Sequence, residues 1–564
     1  MQQPASPSTA GSAVTLQIVY GTQSGNCEWV SGKAQSTALA QGFDVKVIDM
    51  SEIEPAALAA TGELLVICST YNEGDMPDDA EDFWQALAAP TAPRLEGVRY
   101  GVLALGDSSY DGYCQAGKNI DNRLHELGAQ RIVDRGDCDA EFQDPALAWL
   151  EQAIPMFRAP VPAPATATET PTAKTPAAEA PAAAKPARPV RSPWNRKNPY
   201  PARILTNRVL SAPGSAKEVR HVVVDLGDSG ITYEPGDGIG VFAPNDPELV
   251  EKLLARLGAE GNEVITDRKG DYTLREALRD RFEITTASKY LVDYIAARSD
   301  DPELTHLTAT GDHEALDAWL WGRDVLDLLD VDPSLTITPE ELIAELRPLA
   351  HRVYSISSSP QSHDGTVHMT IATVRHRSAN RVRGGAASTH IADRRVVGDT
   401  LPVFISPNKS FRLPADDAKV IMVGPGTGVA PFRSFLHERR ARGAVGENWL
   451  FFGDQHRALD HIYADDLDDF VGDGTLNRLD LAFSRDQDHK VYVQDRMREN
   501  AGEVFAWLES GAYLYVCGDA TRMARDVDDA LHEIIAGAGG LGADATQDYV
   551  DRLRKDKRYL RDVY

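Results

Sequence analysis

The 564-residue sequence predicts a multidomain α/β protein. We expect a doubly wound parallel sheet, then an antiparallel β-barrel with a helical insert, and then a second α/β domain. Length is the first observation, because one hydrophobic core stops growing near about 250–300 residues. The second is that apolar strand-like runs alternate with helical stretches near both ends of the chain, as they do around parallel sheets. The third is a stretch rich in Ala, Pro, Thr and Lys at 159–193, which separates two globular parts.

These observations set the expected domain bounds. They are a first domain at 14–157, a flexible linker at 158–194, a barrel at 195–415 with its helical insert at about 245–349, and a last domain at 416–564. Runs of apolar and β-branched residues mark the strands of the first domain. The predicted strands are Leu16–Tyr20, Val45–Ile48, Glu63–Cys68, Tyr100–Leu105 and Arg131–Val133.

Composition excludes several classes of protein. A net charge of -27 disfavours nucleic acid and anionic membrane as partners, since both would repel the chain. That acidity indicates either a merely soluble surface or an acidic face that docks a basic redox partner. The five scattered cysteines form no CxxC pair, which favours reduced thiols over disulfides, and we expect no metal site. No secretory signal or membrane span is evident, so a cytoplasmic protein is expected.

Three loops of the first domain follow predicted strands and carry hydroxyls, glycines and aromatics. They begin after Tyr20, at Ser69 and at Leu105. Ligands of doubly wound sheets lie outside the carboxyl ends of the strands. The first loop lacks the lysine of a P-loop, so it suits a phosphate monoester better than a triphosphate. Tyr71, Tyr110 and Tyr113 could stack on a flat ring. The alternatives are a plain strand-to-helix turn and tyrosines at the surface.

At these loops the sequence resembles the flavodoxin-like FMN domain of diflavin reductases. The resemblance implies that FMN is bound by sixteen residues: Thr22, Gln23, Ser24, Gly25, Asn26, Cys27, Ser69, Thr70, Tyr71, Asn72, Leu105, Gly106, Asp107, Tyr110, Tyr113 and Cys114. Asn72 departs from the glycine that many relatives have there. Asparagine tolerates left-handed backbone, so we expect the loop to form.

Two short motifs in the second half point to a second flavin. Arg352–Ser355 resembles the RxYS motif of the ferredoxin–NADP reductase family, and Gly385–Ser388 its pyrophosphate loop. The resemblance implies that Arg352 pairs with the FAD pyrophosphate, Tyr354 stacks on the isoalloxazine and Ser355 bonds near N5. The other FAD residues that it implies are Thr285, Val353, Thr370, Ile371, Ala372, Gly385, Ala386, Ala387, Ser388 and Tyr564.

The last domain carries signs of a nucleotide site. A strand runs into the glycine turn that holds Gly426 and Thr427, as needed for close approach to a pyrophosphate. Asp454 taken alone would favour NAD. A later cluster with two cations favours NADP more strongly than Asp454 favours NAD, because the cations would find no phosphate to bind on the ribose of NAD. The alternative is that the cluster is a solvated charged loop. The NADP residues expected here, the last one from resemblance alone, are Ser484, Arg485, Lys490, Tyr492, Gln494 and Asp526.

Hydride chemistry is assigned by the same resemblance. In the family a serine, a cysteine and an acid surround the reacting atoms, and here these are Ser355, Cys517 and Asp562, with Tyr564 covering the flavin. The acid can stabilise positive charge on nicotinamide, and the cysteine shapes the pocket. Without that context Cys517 would be a core thiol.

Several stretches are similar to the flavoprotein (alpha) subunit of assimilatory NADPH–sulfite reductases. They are Tyr113–Lys118, Leu226–Gly230, Ser484–Gln487, Lys490–Asp495 and Arg558–Tyr564. This similarity implies electron flow from NADPH through FAD and FMN to a sirohaem/iron–sulfur subunit that reduces sulfite to sulfide. A linker that lets the FMN domain move between FAD and partner is part of this hypothesis. The alternatives are a reductase of another haem protein and a redox sensor without turnover.

Overall fold

The computed structural model describes residues 14–71, 74–108, 110, 112–158, 192–267, 270–310, 312–378 and 381–564. The chain divides into two compact units, one ending at Pro193 and the other beginning at Trp194. Most of the predicted linker lies outside the described residues. Within the described residues, no helix combines the length and apolarity needed to cross a bilayer.

The first unit is built on one parallel sheet. Its strands are β1 (Thr15–Gly21), β2 (Asp44–Asp49), β3 (Glu63–Ser69), β4 (Arg99–Leu105), β5 (Gln130–Arg131) and β6 (Gly136–Cys138). They lie in the order β2-β1-β3-β4-β5, with β6 also paired to β4, which confirms the doubly wound prediction. The expected last strand at Arg131–Val133 is instead two short ones. The chain bends closely past its neighbours there, since a Cβ on Gly136 would lie 2.8 Å from both Leu103 and Trp149.

Helices cover both faces of this sheet. They are α1 (Asn26–Ala40), α2 (Pro55–Leu58), α3 (Asp78–Ala88), α4 (Gln115–Glu126) and α5 (Gln143–Ala153). Strands that are covered on both faces read as continuous apolar runs. Leu64, Leu65 and Ile67 of β3 are accordingly all fully buried. The sheet therefore holds its loops on a rigid base.

The second unit contains an antiparallel sheet and a parallel one. Its strands are β7 (Tyr200–Val209), β8 (Val219–Asp225), β9 (Gly238–Val241), β10 (Val264–Asp267), β11 (Gly270–Thr273), β12 (Arg352–Ser355), β13 (Thr366–Ala372), β14 (Arg375–Ser378), β15 (Arg381–Gly384), β16 (Thr400–Ser406), β17 (Val420–Val423), β18 (Asn448–Asp454), β19 (Arg478–Phe483), β20 (Tyr513–Gly518) and β21 (Tyr559–Val563). The antiparallel sheet has the order β12-β9-β16-β7-β8-β13. A bridge between Ile356 and Met369 joins its two ends, so it closes into the predicted barrel.

The helical insert lies between β9 and β12. Helices of the second unit are α6 (Pro247–Leu257), α7 (Leu274–Glu276), α8 (Lys289–Ala296), α9 (Pro302–Thr310), α10 (His313–Leu320), α11 (Val325–Leu329), α12 (Pro339–Glu345), α13 (Ala386–Arg394), α14 (Ala430–Arg442), α15 (Arg457–Asp460), α16 (Ala464–Gly472), α17 (Val493–Glu499), α18 (Ala501–Glu509), α19 (Met523–Gly539) and α20 (Ala543–Lys555). The insert holds α6 to α12 around its own apolar core, which includes Leu253, Leu278 and Leu328. It also contains the β10-β11 hairpin, which the sequence did not predict.

The parallel sheet of the second unit has the order β19-β18-β17-β20-β21. Its central strands are buried, with Val423, Phe451 and Val516 fully inaccessible. Because the strands are parallel, their carboxyl ends lie on one edge. The loops that carry the predicted nucleotide-binding residues follow β17 and β19 at that edge.

Candidate functional site

The first loop of the N-terminal unit is shaped by its own side chains. Thr22 is fully buried, and its Oγ1 accepts from the backbone N–H of Gly25 at 3.0 Å and of Cys27 at 3.3 Å. Gln23 is engaged by Asp78, since its Nε2 donates to the carboxylate at 2.9 Å and its Oε1 accepts from the backbone at 2.8 Å. Two of the predicted FMN residues thus brace the loop from within, and Ser24 is exposed.

The other two loops follow β3 and β4, which neighbour β1 in the sheet. The Oγ1 of Thr70 accepts from the N–H of Ala116 at 3.1 Å, which ties the β3 loop to α4. A Cβ on Gly106 would lie 2.6 Å from the backbone nitrogen of Cys114, so only glycine fits this close approach. Leu105 is buried, Asp107 partly so, and Asn72 lies outside the described residues.

The surroundings of these loops suit a flat, uncharged ring. Tyr71, Tyr110 and Tyr113 are each partly exposed and follow the ends of adjacent strands. Burial raises the pKa of Cys27 to about 12 and that of Cys114 to about 11, so both thiols are neutral at physiological pH. Aromatic faces and neutral side chains are suitable walls for an isoalloxazine.

A cavity of about 1250 Å³ opens in the second unit. It exceeds the roughly 300–1,000 Å³ of most small-molecule sites, as a dinucleotide requires. Nine predicted FAD residues line it: Thr285, Arg352, Val353, Tyr354, Ala372, Gly385, Ala386, Ala387 and Ser388. Sequence reasoning missed its other cations, which are Lys252, Arg323, Arg375, Arg381 and Arg383. The predicted Thr370 and Ile371 are instead buried in the barrel, where Thr370 Oγ1 lies 2.8 Å from the hydroxyl of Tyr463.

The anion-binding end of this cavity is built from a strand and a helix start. Arg352 on β12 is held from behind by the buried Glu283, whose Oε2 lies 3.5 Å from Nη2. Glu283 Oε1 also accepts from the backbone N–H of Thr285 at 2.7 Å. Residues at the N-terminus of α13 line the same cavity, and free N–H groups at a helix start favour a phosphate. The residues present therefore fit a pyrophosphate.

The three predicted catalytic side chains meet at one carboxylate. Ser355 Oγ donates to Asp562 Oδ2 at 2.7 Å, and Cys517 Sγ lies 3.6 Å from the same oxygen. Cys517 and Asp562 are neighbours in the β20–β21 register, and Ser355 ends β12. Desolvation raises the pKa of Asp562 and of Cys517 above their ordinary values. Asn408 Nδ2, which sequence reasoning missed, lies 3.4 Å from Asp562 Oδ1.

The glycine turn after β17 lies against the same strand edge. A Cβ on Gly428 would come within 2.1 Å of the carbonyl oxygen of Cys517. The hydroxyl of Tyr564 is 3.1 Å from Thr427 Oγ1, and its side chain is largely exposed. The predicted hydride residues and the glycine turn are therefore parts of one site.

The acid that would have favoured NAD is already paired. Lys217 Nζ lies 2.5 Å from Asp454 Oδ1, and the carboxylate is almost inaccessible to solvent. The positive charge of the lysine compensates the acid, so Asp454 is no argument against a phosphate nearby. No motif marks Lys217 in the sequence, because it precedes β8 on a different domain.

The predicted 2′-phosphate residues form an exposed loop after β19. It carries two acids, Asp486 and Asp488, and Asp486 is engaged by His456 at 2.9 Å and by the N–H of Arg457 at 2.8 Å. Arg485 and Lys490 are exposed, and neither forms an ion pair with another residue of the described ranges. Ser484 and Tyr492 flank them, and Gln494 donates to Asp526 at 3.1 Å. The loop therefore offers two uncompensated cations.

Folds and sites together define a flavin- and nicotinamide-binding oxidoreductase. Three family models match the chain: flavodoxin at residues 18–149, FAD binding domain at 192–390 and oxidoreductase NAD-binding domain at 422–529. The predicted cofactors, FMN, FAD and NADPH, agree with these matches.

Similarity to whole proteins narrows the class. The chain is 42% identical over 557 residues to the sulfite reductase [NADPH] flavoprotein alpha-component of Bacillus subtilis, covering 97% of this chain and 89% of that protein. The protein of the same name from Cronobacter sakazakii is 40% identical over 565 residues, covering 100% and 91%. That from Yersinia enterocolitica is 39% identical over 556 residues, covering 98% and 90%. The chain belongs to the family of sulfite reductase flavoprotein alpha-components.

Proposed function

We propose that this protein is an NADPH-dependent diflavin reductase that delivers electrons to a sirohaem/iron–sulfur subunit, which reduces sulfite to sulfide. The observation that carries the proposal is the Ser355–Asp562–Cys517 cluster beside the glycine turn. When bound, the cofactors supply hydride transfer from NADPH to FAD and single-electron transfer through FMN. The protein supplies binding, orientation and charge. The names of the relatives support the acceptor, and a cytoplasmic location belongs to the proposal.

Arg352 and the start of α13 hold the FAD pyrophosphate in this proposal. A guanidinium suits bidentate phosphate contact, and the contact of Arg352 with Glu283 limits its rotamers. Tyr354 stacks on the flavin ring beside it. Gln23 and Thr22 form hydrogen bonds within the chain that fix the shape of the first loop. This shape presents backbone N–H groups of the loop to the FMN phosphate.

Asp562 is the residue whose charge matters during hydride transfer. As a carboxylate it stabilises the positive charge that develops on the nicotinamide, in a site from which water is excluded. Ser355 donates to it and fixes its orientation. Cys517 is a neutral thiol that shapes the pocket, consistent with its raised pKa.

Arg485 and Lys490 select NADPH over NADH. Their charges gain an ionic partner only when a 2′-phosphate is present. Pairing of Asp486 with His456 occupies one of the two acids of this loop. Asp526 and Gln494 brace the same region through their hydrogen bond.

The decisive experiment measures NADPH oxidation by the flavin-loaded protein mixed with a sirohaem sulfite reductase subunit, with and without sulfite. Sulfite-dependent oxidation with sulfide formed is the expected result. The variant Asp562→Asn is the matched control, because it should bind cofactors yet lose turnover. If ferricyanide is reduced but sulfite has no effect, the acceptor is wrong and the electron path stands. If NADPH supports reduction of neither ferricyanide nor sulfite, the diflavin proposal fails.

A further inference from the structure

We propose that the indole of Trp321 covers the adenine of bound FAD, so that the helical insert supplies one wall of the cofactor site. This inference rests on the proposed function, because it assumes that FAD occupies the cavity of the second unit. Trp321 lines that cavity together with Arg352 and the start of α13. None of the motifs in the sequence marks it.

Exposure distinguishes Trp321 from the other tryptophans. It is 83% exposed, whereas the remaining seven, all within the described ranges, are buried or partly buried. An indole is the largest apolar surface a side chain offers, and it stacks well on flat rings. An exposed indole at the wall of a cavity is therefore an unoccupied stacking surface.

The backbone around Trp321 is held in place. Helix α10 ends at Leu320, and Gly322 then adopts a φ of 75° that turns the chain. Arg383 of β15 donates to the carbonyl of Gly322 and pairs with Asp324 at 3.2 Å. These contacts anchor the turn to the β14-β15 hairpin, which also lines the cavity, so the backbone that presents the indole is tied to a second element.

The neighbouring Trp319 serves the fold instead. Arg323 lies 4.0 Å from the centre of its ring and donates to its carbonyl at 2.9 Å. Arg323 thereby occupies one face of Trp319. Trp321, two positions later, makes no such stack with a cation or ring of the described residues, which leaves its faces for a ligand.

The position in the cavity identifies which part of FAD it meets. Tyr354 and Arg352 line the cavity, but Ser355, Cys517 and Asp562, the residues proposed for the reacting end of the flavin, do not. Because Tyr354 is the proposed stacking partner of the isoalloxazine, the flavin enters the cavity at β12, and the pyrophosphate follows at Arg352 and the start of α13. The remaining walls, which include Trp321 of the insert, are left for the adenosine. The exposed side chains Val374 and Val382 line the cavity as well, and they suit a flat base more than a charged group.

The test compares FAD binding by protein that keeps its FMN but has been freed of FAD. We expect Trp321→Ala to raise the Kd for FAD about tenfold, within the roughly 5- to 150-fold that a base–aromatic stack contributes. Trp321→Phe should retain most of the affinity. Val445→Ala removes another highly exposed apolar side chain, outside the cavity lining, and should leave the Kd unchanged.

ADP provides a second readout that does not depend on turnover. It carries the adenine without the flavin ring, so it should compete with FAD in the wild type and lose that competition in Trp321→Ala. It should also quench indole emission in the wild type more than in Trp321→Phe, which tests the contact even if the alanine variant folds poorly. Equal Kd and equal quenching across these proteins would overturn the inference. A wild-type protein that takes up no FAD would overturn the proposed function itself.

Discussion

At the scale of single residues, the contact between Ser355 and Asp562 is the most informative. We expect Ser355→Ala to slow reduction of the bound flavin by NADPH about 10- to 100-fold, because a hydrogen bond to a charged group contributes about 1.5–3 kcal/mol. Stopped-flow absorbance of the flavin measures this rate. Ser362→Ala, a serine outside the site, is the control. An unchanged rate in Ser355→Ala would contradict the assigned role.

Arg485 is the residue on which coenzyme preference should depend. Its replacement by alanine should raise the KM for NADPH about 10- to 100-fold and leave the KM for NADH nearly unchanged, since only NADPH carries the 2′-phosphate. Arg552→Ala, an exposed arginine on α20, provides the comparison. Parallel increases for both coenzymes would show that Arg485 acts on the fold instead.

Sequence reasoning reached residues that belong to short local patterns. Ser355, Cys517 and Asp562 were predicted, and the structure brings them together, although their roles stay predictions. Lys217 and Glu283 were missed because their importance comes from residues distant in the chain, Asp454 and Arg352. Thr370 and Ile371 do not line the cavity, and their assignment to FAD stays a prediction. As neighbours on β13 they point to opposite faces, Thr370 towards Tyr463 and Ile371 into the apolar core of the barrel.

At the scale of elements, the glycine turn after β17 depends on close backbone approach. We expect Gly428→Ala to destabilise the protein by at least about 2 kcal/mol and to weaken NADPH binding, because a Cβ there would collide with the backbone of Cys517. Gly537→Ala in α19 is the matched control. Its Cβ would meet nothing within 4 Å, and alanine is favoured over glycine in helices by up to about 1 kcal/mol. Chemical denaturation measures the free energy of unfolding of both variants. Equal losses of stability in Gly428→Ala and Gly537→Ala would contradict the steric argument.

Elements with strong periodicity were predictable, and short polar ones were not. The first four strands of the N-terminal sheet agree with the prediction within one residue at each end. The apolar runs of β1, β3 and β4 are largely buried, and the edge strand β2 shows alternation of apolar and polar residues. The strand at Arg131–Val133 and the β10-β11 hairpin are short and mix polar with apolar side chains, so strand pairing decides the structure there. Pairing partners of this kind cannot be read from a local window.

At the scale of the molecule, a row of four histidines couples stability to pH. The rings make contact in the order His221, His368, His363 and His437, with centres 4.3–5.0 Å apart, and Arg433 and Asp466 face them. His363 is partly buried and the other three are buried. Desolvation lowers the pKa of His221 to about 3 and that of His363 to about 4. The unfolded chain, with ordinary values near 6.5, binds more protons below that pH. Stability is therefore fully present above about pH 6.5 and falls as the pH drops.

The corresponding experiment follows the thermal midpoint from pH 7 to pH 5. For His221 alone, the loss in the free energy of unfolding should approach about 2 kcal/mol at pH 5. The variant His221→Gln should therefore show a smaller fall of the thermal midpoint between pH 7 and pH 5. His306→Gln replaces an exposed histidine on α9 and should follow the wild type. A wild-type midpoint that does not fall with pH would contradict the prediction.

The distance in sequence between Ser355 and Asp562 has a consequence for biosynthesis. The two residues are 207 positions apart, so the ribosome needs about 10–40 s to add the second after the first. Within that interval, once Ser406 has been added, the emerging polypeptide carries all the barrel strands and the insert that form the flavin cavity. It cannot yet carry Asp562, the carboxylate on which reduction by NADPH depends in the proposed mechanism. A half-made chain can therefore acquire its cofactor while it is still unable to release electrons to oxygen.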